Sequence, residues 1–185
     1  MKATTLLKQQ HRKVEELFAN IEDEEKSPAA LLTQLATMLA AHMTIEQNIF
    51  YPSVRDVDAD LVSESYEEHA IAELALKRLI ATAPDDPTFK AKLATAKELV
   101  IHHVGEEEEG LFPEVEARID ADQLDSIGHQ LEQAFVLAQQ EGFEALVPAT
   151  FARTSADEAL RTLGAQRAAE ATSVEHNGRA SSAPR

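Results

Sequence analysis

The residues able to do chemistry in this chain are histidines and glutamates set at a fixed interval. His42 and Glu46 stand four apart, as do His103 and Glu107. On an α-helix that interval places both side chains on one face, a turn apart, so an imidazole nitrogen and a carboxylate oxygen can converge on one ion. An aromatic–proline pair follows each time, Tyr51-Pro52 and Phe112-Pro113, with the proline six residues after the glutamate. Two further histidines, His11 and His69, precede His42 and His103 by 31 and 34 residues. A lone histidine on an apolar helix face is commonly a packed core residue. Four of them, two with glutamate at ligand spacing, point to metal instead. Imidazole nitrogen with carboxylate oxygen suits iron, manganese or zinc, and two carboxylates able to bridge suit a pair of ions. Without a cation, burying such groups costs on the order of a few kcal/mol each.

Helices must position these residues. Leu7, His11, Val14, Phe18 and Ile21 recur at steps of three or four and define one face of a first helix starting near Thr4 or Thr5. Ser27-Pro28 reads as an N-cap and first turn, opening a second helix with Leu31, Leu35, Met38, His42 and Ile49 on its apolar face and an expected stop near Tyr51-Pro52. A third carries Val62, Tyr66, His69 and Leu76, and ends before Pro84. A fourth carries Phe89, Leu93, Ala96, Val100, His103, Glu107 and Leu111. The connections at 22–28, 53–60 and 83–88 are short, and the interval between histidines repeats, so the pattern predicts an all-α, up-down-up-down four-helix bundle with one histidine from each helix in the core. The expected organisation is a bundle over 1–120, an additional packed helix over 121–144 including Leu124, Ile127, Leu131, Phe135 and Leu137, and a disordered tail over 145–185 with a weak helix at 156–170.

Composition narrows the function classes. The net charge is −16, and because residues 145–185 hold five arginines against four acids, the first 144 carry −17. Such a surface repels phosphate backbones and anionic membranes and attracts cations, so neither nucleic acid nor membrane is expected as a partner. The absence of cysteine excludes disulfides and thiolate metal sites. The N-terminus reaches charged residues before a secretory apolar core is complete and no run looks long enough to span a membrane, so a cytoplasmic protein is expected. No protein partner is identifiable.

Around the main set stand further residues with other roles. His102 and Glu106 are also four apart, but aligning the prolines and following the apolar steps from Phe89 points His103 and Glu107 inward and gives His102 and Glu106 an outer role. Glu73 follows His69 by four among Ala70, Ile71, Ala72 and Leu74 and is open to further ligation, whereas Glu15, beside Glu16, reads as a surface group. Tyr66, one turn before His69, can hydrogen-bond at the site or pack. His129 and His176 stand apart from the pattern.

A lone histidine, HxxxE, a second lone histidine and a second HxxxE, each HxxxE followed by an aromatic–Pro, resemble the hemerythrin-like HHE cation-binding family over roughly residues 3–120. The resemblance implies a non-haem di-iron centre in the bundle core, with nitrogen ligands from His11, His42, His69 and His103 and with Glu46 and Glu107 bridging two irons together with an oxo or hydroxo group; manganese and zinc are the lesser alternatives. Ferritin-like di-iron bundles use ExxH pairs instead, and the residues three before the four histidines here are Lys8, Leu39, Tyr66 and Val100. Oxygen-carrying hemerythrins place another histidine where this chain has Glu73, so the resemblance favours reaction with a small oxidant (O₂, H₂O₂ or NO), catalase-like peroxide decomposition included, over reversible oxygen storage. The alternatives are an iron- or oxygen-responsive binding module and a metal store without turnover.

Overall fold

A computed structural model describes residues 1–23 and 28–148. Helices α1 (Ala3–Glu22), α2 (Pro28–Ile45), α4 (Ala59–Ile80) and α5 (Phe89–Glu106) form the bundle. Short helices α3 (Tyr51–Val54) and α6 (Phe112–Arg118) prolong α2 and α5 through π-helical turns at Glu46–Phe50 and Glu107–Leu111. The second helix therefore does not stop at Tyr51-Pro52 but runs on to Val54. Each π turn closes with a bond five residues back, Tyr51 N–H to the Glu46 carbonyl and Phe112 N–H to the Glu107 carbonyl. Proline, which has no N–H, then follows each closing residue. The Gln47 carbonyl, five residues before Pro52, instead accepts the Tyr66 hydroxyl at 2.7 Å.

Asp58 caps α4 by accepting from Leu61 N–H at 3.0 Å, and Asp120 caps α7 (Ala121–Glu141) by accepting from Gln123 N–H at 2.9 Å. Helix α7 packs across α1 and α2, followed by the short α8 (Phe143–Leu146). Leu124, Ile127 and Leu131 of α7 are buried as its periodicity predicts, whereas Leu137 faces outward. Gly128 is required by contact: a Cβ there would collide with the Met1 carbonyl, so glycine lets α7 close against the start of the chain. The expected cap at Ser27 and all but the first four residues of the tail expected over 145–185 lie outside the described residues.

The continuous helix Pro28–Val54 is long and apolar enough to cross a membrane by length and composition, so the expectation that no run reaches that length does not hold. Its hydropathy has another source, since 56% of its most apolar window is buried inside the protein.

Two apolar clusters make the core. One gathers Leu7, Ile45, Phe50, Val62, Leu111, Val115 and the buried face of α7; the other gathers Val14, Phe18, Leu39, Met43, Leu76, Val100 and Val104. His11 falls between Leu7 and Val14, His42 between Leu39 and Ile45, and His103 and Glu107 between Val100 and Leu111. The apolar packing thus brackets a polar layer on every helix and fixes its height in the bundle.

Candidate metal centre

His11, His42, Glu46, His69, His103 and Glu107 are all buried and face one another. Glu46 Oε2 lies 3.2 Å from His42 Nε2 and 3.4 Å from His69 Nε2, while Glu107 Oε2 lies 3.2 Å from His11 Nε2 and 3.7 Å from His103 Nε2. Each carboxylate therefore spans from one helical hairpin to the other. The donors fall into two overlapping groups, His11, His42, Glu46 and Glu107, and Glu46, His69 and His103, with Glu46 common to both. Ligand atoms about 2.1 Å from a shared ion stand roughly 3.0–3.5 Å apart, and most of these separations fall in that range.

The other ring nitrogen of each histidine has its own partner. His11 Nδ1 meets Glu108 Oε1, His42 Nδ1 meets Gln10 Oε1 and His103 Nδ1 meets Glu68 Oε2, each at 2.8 Å. At His69 the polarity is reversed: Gln47 Nε2 lies 3.1 Å from Nδ1 and donates to it. On His11, His42 and His103 the acceptor at Nδ1 places the proton there and leaves Nε2 with a lone pair directed into the layer, whereas His69, accepting at Nδ1, carries its proton on Nε2. Glu108 is itself held by Arg12 at 2.5 Å.

His69 Nε2–H then donates to His103 Nε2 at 2.9 Å, while around His11 and His42 acceptors face acceptors. His11 Nε2, both oxygens of Glu46 and Glu107 Oε2 are buried without a hydrogen-bond partner among the described residues. A cation between them satisfies this arrangement, whereas protons alone would have to be shared among several acceptors. Burial, then the adjacent Glu107, holds the Glu46 carboxyl well above its ordinary range. Burial also pushes Glu107 upward, but the adjacent His103 and the His11 contact win and hold it well below the usual carboxylate range. Burial followed by a neighbouring imidazole, His11 for His42 and His103 for His69, lowers both of those histidines well below 6.5. His103 moves the other way: burial lowers it, yet Glu107 and Glu68 together hold it above 6.5.

The sequence did not single out Tyr51. Its hydroxyl donates to Glu107 Oε1 at 2.9 Å and lies 3.2 Å from His69 Nε2 and 3.4 Å from His103 Nε2. Burial, reinforced by Glu107 and Glu46, pushes this phenol well above 10 and keeps it protonated. In the repeat its counterpart is Phe112, whose ring stacks against His11 at 5.9 Å between centroids. The two halves of the layer are therefore chemically unequal, with a phenol on the His69/His103 side and a plain ring beside His11. The aligned Tyr51-Pro52 and Phe112-Pro113 pairs carried this signal, but the π turn that rotates the aromatic inward is not visible in sequence spacing.

Tyr66 does not reach the donor atoms; it packs on Tyr51 at 5.2 Å and binds the Gln47 carbonyl. Glu73 is fully buried one turn beyond His69 but belongs to neither donor group. His102 and Glu106 lie outside the layer, His102 with its side chain 68% exposed and 3.4 Å from Glu106. His129 is exposed on α7 near Glu132. A cavity of about 10 Å³ adjoins the layer, lined by the four histidines with Val14, Leu39, Met43, Ala72, Val100 and Val104. That is room for about one water-sized molecule.

Residues 2–115 match the hemerythrin HHE cation binding domain. The crystal structure of a hemerythrin HHE cation binding domain-containing protein from Mycobacterium kansasii is similar in fold, with a TM-score of 0.69 and 22% identity over 76% of this chain and 89% of that one. A DNA nickase of Nostoc sp. is 25% identical over 144 residues, which is 76% of this chain and 41% of the nickase. The chain thus spans about two fifths of that relative's length.

Proposed function

The chain belongs to the hemerythrin HHE cation-binding domain family, and on that premise we propose that its buried layer holds two irons and turns over a small oxidant, hydrogen peroxide foremost. The observation that carries this reading is the pair of donor groups sharing Glu46 beside a cavity that admits little more than one water-sized molecule. The residues fit such a pair of ions, because both oxygens of Glu46, Glu107 Oε2 and His11 Nε2 are orphaned among the described residues and are acceptors that cations satisfy. His11 and His42 would hold one ion and His69 and His103 the other, with Glu46 and Glu107 reaching both. When bound, the irons supply the electron pair exchanged with peroxide.

The protein's own groups do the rest. Gln10, Gln47, Glu68 and Glu108 hold the rings in orientation through Nδ1. Tyr51 keeps a proton on Oη beside Glu107 and the two histidines, where it can be given to an oxygen atom arriving at that side and recovered from the next. The apolar side chains around the cavity exclude larger reductants. The DNA-nicking activity named for the Nostoc relative is not part of this proposal, since a chain of net charge −16 repels phosphate.

Peroxide consumption and oxygen release by the iron-loaded protein test the reading. Many turnovers per chain at a rate well above that of free iron are expected. A single stoichiometric oxidation, or none, would favour a sensor or a store.

A further inference from the structure

On the outer side of α4 and α5, next to the buried layer, three more donors converge. His102 Nε2 lies 3.4 Å from Glu106 Oε1 and 3.7 Å from Glu68 Oε1. We propose that Glu68, His102 and Glu106 form a separate surface site for a divalent transition-metal ion, linked to the inner layer through the Glu68 carboxylate.

The composition of the trio favours metal over a chance cluster of acids. His102 and Glu106 repeat the ligand spacing of His103 and Glu107, one residue earlier on the same helix. An imidazole with two carboxylates suits a first-row divalent ion better than calcium or magnesium. Among the described residues, the ion pairs of Glu68 and Glu106 are with histidines. Glu106 Oε2 is sheltered from solvent and its carboxyl is in hydrogen-bond contact with that of Glu68, so a cation between them would take the place of a shared proton.

A second observation concerns Gly105. Glycine inside a helix costs about 1 kcal/mol relative to alanine, and here neither a positive φ nor packing asks for it, because a Cβ at Gly105 would meet nothing within 4 Å. It opens onto a surface hollow shared with Leu61, Ile101, His102, Glu106 and Glu109. The missing side chain keeps that approach clear.

Glu68 makes the link. One of its oxygens accepts from His103 Nδ1 at 2.8 Å while the other faces His102. An ion bound outside therefore sits two bonded contacts from an inner ligand, in place to be passed inward as the inner layer fills. This supply role rests on the proposed inner centre; the outer site does not.

Equilibrium dialysis of the full chain against Co²⁺, with total metal counted per chain, tests the site. Wild type should take up one Co²⁺ more than His102→Ala or Glu106→Gln, whether or not the inner layer holds iron, and each variant should bind that ion at least tenfold more weakly. Equal uptake by wild type and His102→Ala would overturn the proposal. For the supply role, apo His102→Ala should load limiting Fe²⁺ several-fold more slowly and reach the same final iron content. Equal loading rates would overturn that role. A failure of both proteins to retain inner iron would instead count against the proposed function.

Discussion

Removing the metal should destabilise the fold, and the size of the effect follows from the buried layer. Four donor atoms, His11 Nε2, Glu46 Oε1 and Oε2 and Glu107 Oε2, have no hydrogen bond among the described residues, so an ion would compensate them. Leaving one buried polar group unsatisfied costs about 1–3 kcal/mol. The costs do not add, because the acceptors can share protons once the ions leave. The binding side gives a similar figure: an ion present at about a thousandfold its dissociation constant stabilises the folded state by roughly 4 kcal/mol. For a domain of this length 1 kcal/mol moves the melting temperature by about 2–4 °C. Complete chelation should therefore lower the melting temperature by roughly 10 °C. The assay is thermal melting followed by circular dichroism, on protein whose metal content is measured before and after treatment with a chelator that is then removed. An unchanged melting curve after verified metal loss would show that the layer is stable as a protonated hydrogen-bond network and was never built around cations.

His103→Ala should lose most of the inner metal, whereas His102→Ala should keep it, since only His103 faces Glu107 and the Tyr51 hydroxyl while His102 is largely exposed; metal analysis of the two variants decides. Tyr51→Phe should retain both ions and the packing of the ring but consume peroxide at least tenfold more slowly, because the proton held beside Glu107 is lost while little volume changes. Metal affinity should fall as pH drops, beginning above 6.5, where His103 first takes up a proton, and continuing while the raised Glu46 carboxyl is titrated above 4.5. Each proton that competes costs about tenfold in affinity per pH unit. His42 and His69, lowered below 6.5, join the competition only at lower pH, so a midpoint set by an ordinary carboxylate alone would contradict the assignment.

The bundle was legible because its signals are local and periodic. Apolar steps of three and four, proline boundaries and the repeated histidine interval each follow from helix geometry. The inward register of His103 over His102 was legible for the same reason, as the apolar face from Phe89 through Val100 carries on to it. Tyr51 was not, because spacing arguments assume 3.6 residues per turn and the π turn at Glu46–Phe50 breaks that count just before it. Pro52 misled for a related reason: its missing N–H is normally a helix stop, yet here the adjoining π turn and the Tyr66 hydroxyl accommodate it. Gln10, Gln47, Glu68 and Glu108 were also hidden, since contacts between helices depend on rotation about each helix axis, which one sequence does not specify.

The proposed function requires that His11, His42, Glu46, His69, His103 and Glu107 hold two irons. Iron counted per chain on protein purified with its native metal, together with its near-ultraviolet spectrum, tests that most directly. Two irons per chain with absorption from an oxygen bridge between them are predicted, falling by at least one iron in Glu46→Ala. One ion per chain, or a full complement of zinc with no such absorption, would contradict the account.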